Sequence, residues 1–157
     1  MSNDDLRPEL GEFSSIVCFR ALVGGVIETL GLRAGHVALK AAGRQRGHSL
    51  VASLGLTGQG DDLGKAAAMM GAALGPDGTK LCLIRGIDQT EDKIKVYLNE
   101  TICMAGEPQG TDTTCSFTFG AVHGALEALT GKKLAGKHTK SPLRDDVDSE
   151  IFEFYER

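Results

Sequence analysis

The stretch from Cys115 to Leu129, CSFTFGAVHGALEAL, constrains the fold more than any other part of the chain. At helical spacing Cys115, Phe119, Val122, Leu126 and Leu129 form one apolar stripe, while the opposite side carries Phe117, Gly120, Ala121, Gly124 and Ala128. Only Ser116, His123, Glu127 and Thr130 make a narrow polar strip. A helix on a solvated surface has one apolar and one polar face; a helix that is apolar or small nearly all round has to be enclosed. The segment is therefore predicted to be a central helix, opened by Asp112 or Thr113 and stopped at Gly131, with the other elements arranged about it.

The rest of the chain supplies elements to surround it. A first helix is predicted from Ser14 to Gly31, with Ile16, Phe19, Val23, Val26, Ile27 and Leu30 at helical spacing. A second runs from about Ala34 to Leu54, with the ridge Leu39, Gly43, Gly47, Leu50 and Leu54. Glycine in a helix interior costs about 1 kcal/mol relative to Ala, so glycines one turn apart point to a second backbone packed very close. A third helix, capped by Asp61 or Asp62, carries Leu63, Ala66, Ala67, Met70, Ala73 and Leu74, and ends at the turn Gly75-Pro76-Asp77-Gly78. Strands follow at Lys80–Arg85 and Lys93–Asn99 around a polar turn, 88–92, with Ile94, Val96 and Leu98 on one face. Beyond the central helix come strands Leu134–Lys140 and Glu150–Tyr155, with Phe152 and Phe154 facing in. The expected architecture is α+β: three N-terminal helices, a hairpin, a buried helix and two more strands, forming a twisted four-stranded antiparallel sheet packed on helices. Residues 1–13 read as a flexible arm and 14–157 as a single domain.

Bulk properties narrow the class of function. A chain of 157 residues can bury one sizeable core. A net charge of −4 without a basic block argues against nucleic acid or an anionic membrane surface as main partner. No apolar run reaches the roughly 20 residues of a membrane span, and the acidic start MSNDDLRPEL does not read as a secretory signal. Cys18, Cys82, Cys103 and Cys115 are scattered without a CxxC pair, so reduced thiols in a cytoplasmic setting are expected.

The element order, the segment Cys115–Glu127, the approach Glu100-Thr-Ile-Cys-Met-Ala-Gly106 and the closing Ile151-Phe-Glu-Phe-Tyr155 resemble the 4-vinyl-reductase-type, hydrocarbon-binding domains of bacteria and archaea. That family shares its fold with the TRAPP vesicle-tethering subunits. The resemblance implies a module that binds a small hydrocarbon, lipid or pigment-like molecule, often as a helix-mediated dimer. Some members occur among photosynthesis proteins, which adds a link to pigment synthesis or membrane-complex assembly. Two features depart from the pattern. Bacterial relatives often carry cysteines in the last two strands, suggesting a metal or redox site, where this chain has His138 to Phe152 and no cysteine. The lipid-modified Cys of the acylated TRAPP subunits has no counterpart in Gly58-Gln59-Gly60.

Each candidate site has two readings. Cys103 and Cys115 could be metal ligands or redox partners, with His123 or His138 completing a zinc set; they could equally be two buried small hydrophobes. His123 and Glu127, four apart, fit an acid/base pair or a surface ion pair. Lys40, Arg44 and His48 could hold the anionic head of a ligand, or lie over apolar neighbours with their charges in water. Gly106–Gly110 lacks the lysine and spacing of a phosphate loop. An apolar pocket is expected among Phe19, Val23, Ile27, Met69, Met70, Phe117, Phe119, Val122 and Leu126, although the same residues could pack solid. No catalytic residues, cofactor or metal are assigned beyond a bound lipid or hydrophobic small molecule. The leading reading is a non-catalytic binding module, dimeric through its N-terminal helices; Gly24, Gly25, Gly43 and Gly47 there fit a close helix–helix interface, the feature a scaffold would use. The others are a scaffold without ligand and a reductase-like enzyme of tetrapyrrole metabolism, for which no convergent polar set is visible.

Overall fold

In the computed structural model, which describes Arg7, Glu9 and residues 13–157, the order is helix, helix, helix, strand, strand, helix, strand, strand. The expected arm, residues 1–13, lies almost wholly outside the described residues. Helix α1 (Ile16–Leu30) starts where the Ser15 hydroxyl accepts the Val17 N–H at 3.1 Å. Only Gly31, at φ 80°, separates it from α2 (Leu32–Ser53), which begins two residues before its expected start. Helix α3 (Leu63–Leu74) is capped by the Asp62 carboxylate, which accepts the Lys65 N–H at 2.9 Å. Strands β1 (Leu83–Gln89) and β2 (Ile94–Asn99) form the hairpin. Helix α4 (Ser116–Thr130) and strands β3 (Leu134–Lys140) and β4 (Glu150–Glu156) complete the chain.

At the starts of β1 and α4 the structure differs from expectation because backbone groups there are bonded elsewhere. The amides of Lys80, Leu81 and Cys82 bond back to the carbonyls of Gly75 and Leu74 at the end of α3, so the first strand begins at Leu83 rather than Lys80. Helix α4 starts at Ser116, not at Asp112 or Thr113. Arg144 holds the carbonyls of Thr111 and Thr113 at 3.2 and 2.7 Å, which keeps that stretch a loop.

The sheet order is β1-β2-β4-β3, every pair antiparallel. Val96 pairs with Phe152 and Ile94 with Phe154, so the two central strands put their apolar residues on the same face. On that face lies α4. The Phe119 ring meets Phe152 edge-on at 5.2 Å and stacks on Phe154 at 5.1 Å. Across α4 from the sheet lies α2, and α1 packs on α2 in turn. Eleven of the fifteen residues of α4 are buried, against none in α1, so α4 is the enclosed helix and α1 the outermost.

The approach of α2 to α4 explains the glycines. A Cβ built on Gly43 would overlap the Phe117 carbonyl, and one on Gly47 the Ala121 carbonyl. From the other side, Gly120 and Gly124 lie against the carbonyls of Lys40 and Arg44. Four glycines therefore let two backbones touch, and what each loses in helix propensity is offset by contact along both helices. Gly43 and Gly47, expected at a dimer interface, are thus occupied within the chain. Gly24 and Gly25 have nothing within 4 Å.

Candidate ligand-binding cleft

Helix α1 is seated by few contacts. Phe19 meets Phe117 edge-on at 5.5 Å, and Arg20 donates to the Gly106 carbonyl at 3.5 Å. Beneath it, Val23 and Ile27 of α1, Leu39 of α2 and Phe117 of α4 form the apolar walls of a cleft. One corner is polar, made by His36, Thr114, Ser116 and the sulfur of Cys103. His36 Nδ1 and Ser116 Oγ share a short hydrogen bond, and Thr114 Oγ1 lies 3.4 Å from the same nitrogen and 3.2 Å from Ser116 Oγ. Burial, and then the Lys40 charge, hold His36 below its ordinary 6.5, so the imidazole is neutral at pH 7. The corner therefore offers uncharged donors and acceptors at the end of an apolar slot. As it stands the cleft encloses only about 10 Å³, room for one water at most. A larger groove of about 470 Å³ beside Ile102, Met104 and Leu143 is open to solvent.

Of the expected pocket residues, Val23, Ile27 and Phe117 line this cleft and Phe19 packs on its edge. Met70, Phe119, Val122 and Leu126 sit in the solid core on the sheet side of α4, with Met69 packed against that core. Lys40, Arg44 and His48 of α2, the expected anion site, are engaged with the chain itself. Arg44 grips Glu127 Oε2 through Nε at 2.7 Å and Nη2 at 2.5 Å, His48 lies 3.6 Å from the same oxygen, and Lys40 sits 5.0 Å over the Phe119 ring.

Glu127 is buried beneath these cations and is not a surface residue, in contrast to the surface ion pair weighed from its spacing. Its Oε1 accepts the Leu134 N–H at 3.0 Å while His123 donates to the Leu134 carbonyl at 2.9 Å. Two α4 side chains thus hold both backbone groups of the first residue of β3. Burial alone pushes the Glu127 carboxyl up, but the Leu134 amide, the Arg44 hydrogen bond and the His123 and Arg44 charges together bring it below its ordinary value.

Cys103 and Cys115 do come together, at the start of α4. The Cys103 sulfur accepts the Thr118 N–H at 3.3 Å and lies 3.2 Å from Thr118 Oγ1. Among the described residues no set of three His, Cys, Asp or Glu side chains could hold a metal ion. The last two strands hold another network. The Cys115 N–H donates to His138 Nδ1 at 3.3 Å, which places the ring proton on Nε2, and that nitrogen donates to Glu150 Oε2 at 2.6 Å. Ser141 Oγ donates to Glu150 Oε1 at 3.0 Å. These buried polar groups satisfy one another, as burial requires.

Sequence reasoning missed His36, Thr114 and the His138–Glu150 pair. Ser116 stood out only as part of a polar strip, and nothing local joins it to a histidine 80 residues away.

No protein-family model matches the chain, and neither does any curated protein. Solved structures do share its fold. The phenol-responsive sensory domain of the transcription activator PoxR, solved with phenol, superposes with a TM-score of 0.69 at 13% identity, over 92% of this chain and 76% of that one. Trafficking protein particle complex subunit 3 from Naegleria fowleri, covalently bound to palmitic acid, superposes with a TM-score of 0.57 at 14% identity, over 90% of this chain and 92% of that one. The chain thus has the α+β fold seen in both, and no described helix is long and apolar enough to cross a membrane.

Proposed function

We propose that the chain is a small-molecule-binding module of the 4-vinyl-reductase type, taking a compact, largely apolar ligand with one neutral hydrogen-bonding end. The observation that carries this is the cleft itself: apolar walls, a neutral His36–Ser116–Thr114 corner, and a roof, α1, that buries no residue of its own. An element with so little buried surface opens at low cost, so the ligand enters by displacing α1 and replaces the contacts it breaks. The fold likeness to a sensory domain solved with phenol and to a subunit holding palmitic acid supports the same reading. An aromatic ring carrying one hydroxyl matches the slot and its corner better than a carboxylate does. Of the expected anion site, Lys40, Arg44 and His48, Arg44 is already paired with Glu127, His48 faces the same carboxylate and Lys40 lies over the Phe119 ring.

The test is native mass spectrometry of the purified chain, followed by thermal shift with phenol and with palmitate. A copurified apolar mass, or a rise in Tm with phenol that Val23→Trp abolishes, is expected. No bound mass together with no shift from either compound rejects the proposal.

Dimerisation through α1 and α2 belongs to the same reading. Val17, Leu22 and Val37 are 71%, 63% and 63% exposed on these helices, more apolar surface than an isolated helix pair gains by showing to water. A scaffold without ligand would use the same surface. Light scattering at micromolar concentration separates the cases: a monomer removes both the dimer and the scaffold and leaves the binding site standing.

A further inference from the structure

Cys103 and Cys115 lie twelve positions apart, one in the loop leading to α4 and the other at its N-cap; the Cys103 sulfur sits on the first turn of α4, within hydrogen-bonding reach of the Cys115 thiol. Polar groups that can donate surround the Cys103 sulfur. The Thr118 amide points at its sulfur at 3.3 Å, the Thr118 hydroxyl lies 3.2 Å away, and the Cys115 thiol hydrogen-bonds to it. Amides at a helix N-terminus favour an anion there. Cys103 is half-buried and lines the cleft, whereas Cys115 is wholly buried behind it. The Thr101 hydroxyl, buried without an ordinary hydrogen-bond partner, lies beside the Cys115 sulfur.

We propose that Cys103 and Cys115 form an oxidisable dithiol, in which Cys103 attacks a hydroperoxide arriving through the cleft and Cys115 resolves the product into a disulfide. The Cys103 thiolate attacks the terminal peroxide oxygen, the O–O bond breaks, and the departing alkoxide or hydroxide takes up a proton. Cys103 is then a sulfenic acid. The Cys115 sulfur displaces its hydroxyl, the S–S bond forms, and the Cys115 proton leaves with that hydroxyl as water. Two thiols lose two electrons and two protons, and one hydroperoxide is reduced to an alcohol, or water, plus water.

The division of roles follows from the surroundings. The Cys115 hydrogen bond, with those from Thr118 and Phe117, draws the Cys103 thiol down against the effect of burial, so of the two it is the one that gives up its proton more readily. Burial, and the sulfur it donates to, push Cys115 well above the ordinary range, so it waits as the proton-bearing partner. The third nearby thiol, Cys82, is pushed up to about 12 by burial and then by the Cys103 charge, which makes it a poor competitor. The disulfide would tie the 101–106 segment to the start of α4 and remove the thiol from the corner of the cleft. Entry of the hydroperoxide rests on the same displacement of α1 as the proposed function, but the dithiol does not require that the cleft hold a resident ligand.

The experiment uses the full chain with Cys18→Ser, which removes the exposed thiol, treated with stoichiometric hydrogen peroxide, alkylated, digested and mass-mapped. A peptide pair joined through Cys103 and Cys115, lighter by two hydrogens, is expected. Cys115→Ala should stop at a Cys103 sulfenic acid that dimedone traps, and Cys103→Ser should leave Cys115 unmodified. Without oxidant, the rate of Cys103 alkylation by iodoacetamide should rise with a midpoint below that of an ordinary thiol, following the lowering of Cys103. Both cysteines staying reduced, or Cys103 joined instead to Cys82, overturns the proposal. Should Cys115→Ala not fold, the disulfide map of the Cys18→Ser chain decides alone.

Discussion

Gly47 of α2 rests on the carbonyl oxygen of Ala121 in α4, so closely that a Cβ there would overlap this oxygen and come within 2.6 Å of the Ala125 amide nitrogen. The obstacle is backbone, which cannot swing aside as a side chain does. Gly47→Ala is therefore expected to destabilise by at least about 1–3 kcal/mol in urea unfolding, although Ala gains roughly 1 kcal/mol in helix propensity. Gly25→Ala, with nothing within 4 Å, should stabilise by about 0.5–1 kcal/mol. Equal signs for the two substitutions would mean that the helices are farther apart than described.

Glu127 couples α2, α4 and β3. Glu127→Ala strips the acceptor from the Leu134 N–H and should cost about 1–3 kcal/mol. The pH dependence has a definite sign. The folded carboxyl sits below its ordinary 4.5, so its contribution is fully present above 4.5 and is lost as pH falls through the lower folded value. Glu127→Gln should flatten acid unfolding over that window, and an unchanged acid limb would show that the carboxylate adds nothing to stability.

His36 shows the same sign in a different window. Its folded value lies below the ordinary 6.5, so stability is complete above 6.5 and declines as pH drops toward the folded value, because only the unfolded chain takes up the proton there. The Tm difference between about pH 7.5 and about pH 5 should shrink in His36→Gln. Ligand affinity should fall at pH 7.5 in His36→Ala, since the Nδ1 that meets Ser116 and Thr114 is lost from the corner.

Phe119 and Val23 separate core from cleft. Phe119 is wedged between Phe152 and Phe154, so Phe119→Trp should cost about 1–3 kcal/mol and spare ligand binding. Val23→Trp, on a helix without buried residues, should leave urea stability within about 0.5 kcal/mol and abolish binding. The reverse pattern would move the site to the sheet side of α4.

Much of the fold could be read from particular residues. The polar strip too narrow for a surface helix announced that α4 is enclosed, and the structure buries eleven of its residues. The alternation Ile94, Val96, Leu98 faces the core as expected, and Phe152 and Phe154 do the same. Gly43 and Gly47 pointed to a close backbone, but not to whose backbone it was. Strand and helix starts went astray at Lys80 and Asp112, where distant carbonyls and Arg144 compete for the local hydrogen bonds.

Periodicity reports which face of one element avoids water, and that property belongs to neighbours along the chain. It determined the class, the order of elements and the inner faces of α4, β2 and β4. Which inner faces meet is a property of three-dimensional closure. Only the tertiary structure set α2 against α4, brought His36 to Ser116, buried Glu127 under Arg44 and brought Cys103 to Cys115. These pairings join residues 12 to 83 positions apart, where hydrogen bonding and packing act through space and leave no local pattern in the chain.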